Sequence, residues 1–188
     1  MTIDKDLPKR KSTRLKGADY SNIGSYFITI CTKDRQPILS SIICSSAQSV
    51  GTGVPDGPHT IDLNVVLLPE GIIAERYISR LNSYYENVSV DRYVIMPDHI
   101  HLLLSIRNVK RYEDEYTDES GPSRTPVPTV NSTISSWIST FKRFCNKECG
   151  KNIWQSRFFD HIVRNKNDYD EIIKYIHENP LKWYYEHR

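Results

Sequence analysis

Apolar positions along the chain alternate between two spacings, and each spacing predicts a kind of element. "GSYFITICT" (24–32) is dense in aromatic and β-branched residues and predicts a strand. In "LPEGIIAERYISRLNSYY" (68–85) the apolar positions Ile72, Ile73, Tyr77, Ile78, Leu81 and Tyr84/Tyr85 recur every three to four residues, the mark of an amphipathic helix. "VSVDRYVIM" (88–96) and "HIHLLLSIR" (99–107) predict two strands joined by a short turn at Pro97-Asp98, hence an antiparallel pair. "STISSWISTFKRFCNKE" (132–148) returns to helical spacing through Ile134, Trp137, Ile138, Phe141, Phe144 and Cys145. A third helix is expected over "DYDEIIKYIHEN" (168–179), where Asp168 and Glu171 have capping-box spacing and Pro180 disfavours helix at the residue before it. The order of these elements predicts an α+β fold, an antiparallel sheet with helices packed on one face. The whole of 1–188 reads as one domain with a basic N-terminal arm over 1–20 and loop insertions at 45–62 and 107–130.

Composition changes this picture little. A chain of 188 residues, 38% hydrophobic and 26% charged, is ordinary for a globular domain. No stretch approaches the ~20 apolar residues of a membrane span, and the charged start "MTIDKDLPKRKSTRLKG" lacks the apolar core of a secretory signal, so a cytoplasmic location with no membrane partner is expected. Cys31, Cys44, Cys145 and Cys149 form no C-x-x-C pair, which predicts reduced thiols. Net charge is only +2, but its distribution is uneven. Lys9, Arg10, Lys11, Arg14 and Lys16 come with no acid between them, while "YEDEYTDES" (112–120) gathers five acids in one insertion. The remaining body is basic, a footprint suited to a phosphate backbone and equally to a solvated arm.

Chemistry concentrates in "PDHIHLLL" (97–104). Residues i and i+2 of a strand share a face, so His99 and His101 project together while Ile100, Leu102 and Leu104 project oppositely. Such a pair can bind a metal or can simply hydrogen-bond at a sheet surface. A metal needs at least one more ligand, and Asn179 is a candidate. Its amide oxygen suits Mg²⁺ or Mn²⁺, and Tyr175, one helical turn earlier, would stand beside the ion rather than on it. That combination pairs a nucleophile with a Lewis acid.

The motif "VIMPDHIHLLL" resembles the His-hydrophobic-His (HUH) motif of single-tyrosine transposases. "IWQSRFFDHIVRNKNDYDEIIKYIHENPLKW" (153–183) and "RKSTRLKGADYSNIGSYFITICT" (10–32) resemble the matching regions of the REP-associated tyrosine transposase branch, in the family's order and at compatible spacing. The resemblance implies a ferredoxin-like sheet, metal binding by His99 and His101, completion of the metal site by Asn179, and Tyr175 as nucleophile. The wider superfamily uses glutamine where Asn179 stands. The implied activity is metal-dependent cleavage and rejoining of single-stranded DNA at hairpin-containing sites through a 5′-phosphotyrosine link, with no nucleotide cofactor. The alternative is a catalytically silent DNA-hairpin-binding protein.

Arg10, Lys11 and Arg14 in the arm, Lys142 and Arg143 on the second helix, and Arg157, His161 and Arg164 ahead of the third are candidate DNA contacts. Trp154, Phe158 and Phe159 offer rings for base stacking or for the core. A histidine-triad hydrolase would need a third histidine where Leu103 stands. His99, His101 and Tyr175 within a single compact chain allow a self-contained site, which favours a monomer over a homodimer.

Overall fold

A computed structural model describes residues 23–45, 62–107 and 130–188. Arg10, Lys11 and Arg14, the rest of the arm, and residues 46–61 and 108–129 of the two insertions lie outside the described residues.

The strand β1 (Gly24–Cys31) pairs on one side with β5 (His99–Ile106) and on the other with β6 (Phe159–Ile162), and β4 (Val88–Ile95) closes the sheet beyond β5. All pairings are antiparallel and the order is β4-β5-β1-β6. Helix α1 (Pro69–Tyr84) connects β1 toward β4, and α2 (Val130–Cys149) connects β5 to β6. This is the split βαβ repeat of a ferredoxin-like domain, so the expected α+β class holds. A second hairpin, β2 (Ser40–Ser45) with β3 (Asp62–Leu67), is inserted between β1 and α1. The residues expected as a loop insertion at 45–62 thus begin and end in paired strands, with Ser45 opposite Asp62. The Gly- and Pro-rich stretch 45–60 reads as a loop or a hairpin excursion, and the paired strands that flank it fit the second reading. The four-residue edge strand β6 is not expected from the pattern.

The two sheet faces are covered differently. Tyr26, Ile28 and Ile30 of β1, with Ile100, Leu102, Leu104 and Ile106 of β5, pack under Ala74, Ile78 and Leu81 of α1 and Ile134, Trp137, Ile138 and Phe141 of α2. Trp154 is 2% exposed in this core, so its ring is structural. The other face carries α3 (Lys166–Glu186), whose Ile172 and Ile176 pack on Leu103 beside Phe27 and Val94. Helices therefore cover both faces, where one was expected. The apolar residues Phe27, Val94 and Leu103 are the reason, because they form a small second core that needs a partner.

Helix α3 begins at Lys166 and runs through Pro180, longer at both ends than expected. Its N-cap is Asn165, whose side chain accepts from Asp168 N at 2.9 Å, while the Asp168 carboxylate accepts from Arg164 N at 3.0 Å. The cap thus uses Asn165 and Asp168 rather than Asp168 and Glu171. Proline costs α3 one internal donor, yet the turns beyond it place Trp183 against His99, with ring centroids 5.9 Å apart. Gly71, in the first turn of α1, lies so close to the Leu39 carbonyl that a Cβ would meet it at 1.9 Å. Only glycine lets α1 seat there. All four cysteines are free.

Candidate active site

His99 and His101 open the strand that is buried on both sides, and each keeps its ring on the α3 face. Their Nε2 atoms converge to 3.0 Å, and the ring centroids are 4.5 Å apart. Each Nδ1 is held from behind. His99 Nδ1 donates to Asp98 Oδ1 at 2.5 Å, and His101 Nδ1 lies 2.9 Å from the Thr29 hydroxyl. Asp98 is itself 4% exposed and is fixed by Arg35, whose Nε meets Oδ2 at 2.7 Å. Phe27 stacks on His101 at 5.1 Å between centroids.

Burial governs the protonation of the pair. It pushes the His99 imidazole below its ordinary value, although the Asp98 hydrogen bond and charge pull upward. Burial, reinforced by the positive charges of His99 and Arg35, pushes His101 down to about 3. Both rings are thus neutral near pH 7 and have lone pairs to give.

Helix α3 brings the rest. Tyr175 meets the rings of His101 (centroids 5.2 Å) and Phe27 (5.9 Å) edge-on while staying 41% exposed, so its hydroxyl remains open to a ligand. Asn179, one turn on, is 6% exposed and near enough to His99 to oppose slightly the fall in its proton affinity. The four expected residues of the site, His99, His101, Tyr175 and Asn179, therefore line one cleft of about 600 Å³, together with Thr29, Arg35, Asp98, Lys182, Trp183 and His187.

The donor set fits a hard divalent ion in one respect that can be checked. Two adjacent positions on an octahedral ion with bonds of about 2.1 Å lie about 3.0 Å apart, the separation of the two Nε2 atoms. The same rings also close a metal-free chain, in which Thr29 donates to His101 Nδ1 and His101 Nε2–H donates to His99 Nε2. Replacing that one proton by a cation requires the His101 tautomer to change and the Thr29 hydroxyl to accept. Among the described residues no group of three or more His, Cys, Asp or Glu converges as a metal site.

The cleft also brings in residues that were not expected, among them Thr29, Arg35, Asp98 and Trp183, which act through tertiary placement. Only Asp98, adjacent to the histidines, left a local signal. Arg35 is reached through a tight turn in which both Asp34 and Arg35 adopt φ of 55°, a left-handed conformation that non-glycine residues adopt at a cost.

The expected DNA contacts separate. Lys142 donates to the carbonyls of Gln155 (2.7 Å) and Arg157 (3.0 Å), and burial pushes its amine down to about 8. It clamps a loop instead of facing outward. His161 is held by the Asp168 carboxylate at 3.0 Å. Arg143, Arg157 and Arg164 are exposed, and Phe159 is 54% exposed on β6, opposite Thr29 on the cleft's side of the sheet.

Fold and site together define a ferredoxin-like α+β domain built around a histidine pair and a tyrosine in one cleft. No model of an established protein family matches the chain. A Haemophilus influenzae protein described as uncharacterized is 26% identical over 179 residues, covering 93% of this chain and 89% of that one. A REP-associated tyrosine transposase of Escherichia coli K12 is 30% identical over 94 residues, covering 50% of this chain and 44% of that one. A solved structure of a REP-associated tyrosine transposase bound to a REP hairpin shares the fold, with a TM-score of 0.52 at 21% identity over 87% of this chain and 70% of that one. Over about half of its length the chain is similar in sequence to REP-associated tyrosine transposases. Its match to the named E. coli relative spans less than half of that protein. No helix among the described residues is long and apolar enough to cross a membrane.

Proposed function

We propose that this protein cleaves and rejoins single-stranded DNA beside a hairpin, with Tyr175 as nucleophile. The observation that carries the reading is convergence: Tyr175, Asn179 and the two histidines meet in one cleft from separate stretches of sequence. Tyr175 Oη attacks the phosphorus of a backbone phosphodiester and loses its proton to water. The bond from phosphorus to the 3′-oxygen breaks, and that oxygen leaves as a hydroxyl after taking up a proton. The 5′-phosphate remains esterified to tyrosine, so one ester replaces another and the reverse attack by a 3′-hydroxyl can rejoin the strand.

His99 Nε2, His101 Nε2 and the Asn179 amide oxygen would hold Mg²⁺ or Mn²⁺, which when bound supplies Lewis-acid stabilisation of charge on the phosphate. Asp98 and Thr29 fix the histidine rings, and Phe27 packs against both His101 and Tyr175. All these groups come from one chain, which supports a tyrosine acting in its own subunit and a monomeric enzyme.

The test is a covalent adduct on a denaturing gel after incubation with hairpin-bearing single-stranded oligonucleotides and Mg²⁺ or Mn²⁺. Adduct with the native chain and none with Tyr175→Phe supports the reading. Persistence in Tyr175→Phe moves the nucleophile elsewhere, and hairpin binding without adduct in the native chain makes the protein a binding module.

A further inference from the structure

On the far side of the sheet from the histidines, α1 and α2 pack side by side and leave a groove of about 470 Å³. Tyr77 of α1 stacks on Phe144 of α2, with centroids 5.4 Å apart and planes 12° apart. A guanidinium lies over each ring of the pair: Arg80 is 5.8 Å from the Tyr77 centroid and Arg143 is 5.2 Å from that of Phe144. Tyr84, at the end of α1, is 76% exposed and touches Tyr85 edge-on. Among the described residues neither Arg80 nor Arg143 is in an ion pair. Glu148, the acid whose charge reaches Arg80, is already held by Arg76 at 2.6 Å and by the Tyr77 hydroxyl at 2.8 Å. Arg143 also borders a shallower hollow shared with Lys147, so positive charge continues along α2.

The exposed ring of Tyr84 beside two guanidiniums outside any ion pair among the described residues matches one ligand chemistry closely. An unpaired base stacks on Tyr84 while the cations meet the phosphates beside it, with the half-buried Tyr77 and Phe144 holding Arg80 and Arg143 in place. An acidic peptide would satisfy the arginines and leave Tyr84 idle. A second copy of this chain, packed about a two-fold axis, would set arginine against arginine. We infer that the groove between α1 and α2 is a second binding site, for the unpaired bases of single-stranded DNA, on the face opposite the tyrosine. The inference rests on the reading that DNA is the substrate, but it uses none of the cleft residues. Its consequence is that a strand long enough to reach both faces is held at two points.

The experiment measures fluorescence anisotropy of a labelled oligothymidine of about 30 nucleotides against the full chain, over a range of salt and without divalent ions. The variant is Arg80→Gln/Tyr84→Ala/Arg143→Gln, with thermal melting to confirm that it folds. Its affinity should fall about tenfold or more, and the slope of log affinity against log salt should shrink by about 1.4, because two phosphates are no longer neutralised. An oligonucleotide carrying 5-iodouracil should crosslink to Tyr84 in the native chain. Unchanged affinity with crosslinks confined to the cleft overturns the inference. So does loss of a concentration-dependent dimer in the variant with DNA binding intact, which would assign the groove to a second copy. The two readings fail separately: a crosslink at Tyr84 without any Tyr175 adduct removes the catalysis and leaves the groove, and the opposite pattern does the reverse.

Discussion

The same eight residues of β5 carry two different solutions to burial. Ile100, Leu102 and Leu104 point toward α1 and α2 and are 0% exposed, filling space with nothing but hydrocarbon. His99 and His101 point the other way and are nearly as buried, at 6% and 4%, but every ring nitrogen is committed to a named partner. One face stabilises the fold through transfer and packing. The other uses burial to make two imidazoles neutral and to hold them at a fixed separation. Over the first residues of β5 stability and function are thus divided by the strand's two-residue period, before Leu103 returns hydrocarbon to the histidine face.

That division predicts opposite phenotypes for neighbouring substitutions. His101→Leu should abolish adduct formation, a larger loss than the roughly 10- to 100-fold typical of a residue that only orients a metal ligand. Ile100→Ala should leave activity measurable in the folded fraction and cost about 2–5 kcal/mol in urea denaturation. The division fails if His101→Leu destabilises as much as Ile100→Ala, or if Ile100→Ala is inactive while folded.

Arg35 tests how far the polar face extends. Its guanidinium contacts Asp98 and not the histidine rings, so it positions and does not ligate. Arg35→Ala should weaken Mn²⁺ binding and adduct formation by roughly 10- to 100-fold. Arg35→Lys, which keeps charge but not the fork geometry, should recover part of the loss. Titration of the ion followed by electron paramagnetic resonance reads the first effect apart from the second. Full activity in Arg35→Ala would confine the polar face to the groups that touch the histidines.

Much of this molecule is legible in its sequence because period-two and period-3.6 spacing are direct consequences of backbone geometry. The spacing of Ile72 to Leu81 and of Ile134 to Cys145 locates α1 and α2, and the i, i+2 rule alone places both histidines on one face. The side of the sheet on which α3 lies is harder to read, because the signal is three apolar residues, Phe27, Val94 and Leu103, on three different strands. The edge strand β6 has only four residues, too few to show a period. The continuation of α3 past Pro180 is a tertiary override, in which Trp183 gains contact with His99. Arg35 is invisible in the sequence because its role depends on a left-handed turn that no local rule predicts for Asp-Arg.

Acid offers a gentler way to separate the faces. The native fold favours neutral His101, with its proton affinity pushed down to about 3, whereas the unfolded chain titrates near 6.5. Between those values the unfolded state binds the extra proton, so stability falls as pH drops from about 6.5 toward 3. His101→Leu should flatten this slope in melts taken across that range. Ile100→Val, on the hydrocarbon face, should shift the whole curve downward with its slope unchanged. Equal slopes in native and His101→Leu chains would mean that the imidazole takes up its proton without cost where it sits.

The smallest expected effects concern two neighbouring cations with opposite orientations. The Lys142 amine donates to the Arg157 carbonyl at 3.0 Å, yet the lysine is turned inward while the Arg157 side chain faces outward. Lys142→Met removes the donor from the carbonyls of residues 155–157 that lead into β6, and should cost roughly 1 kcal/mol of stability while leaving DNA affinity at fixed salt unchanged. Arg157→Gln should do the reverse: stability within about 0.5 kcal/mol of native, with the salt dependence of single-strand binding reduced by about 0.7 for one phosphate contact. Paired urea melts and anisotropy titrations on the two variants decide the matter. If Lys142→Met instead lowers the salt slope, its amine leaves the loop carbonyls to meet phosphate, and the inward cation belongs to the DNA-facing surface after all.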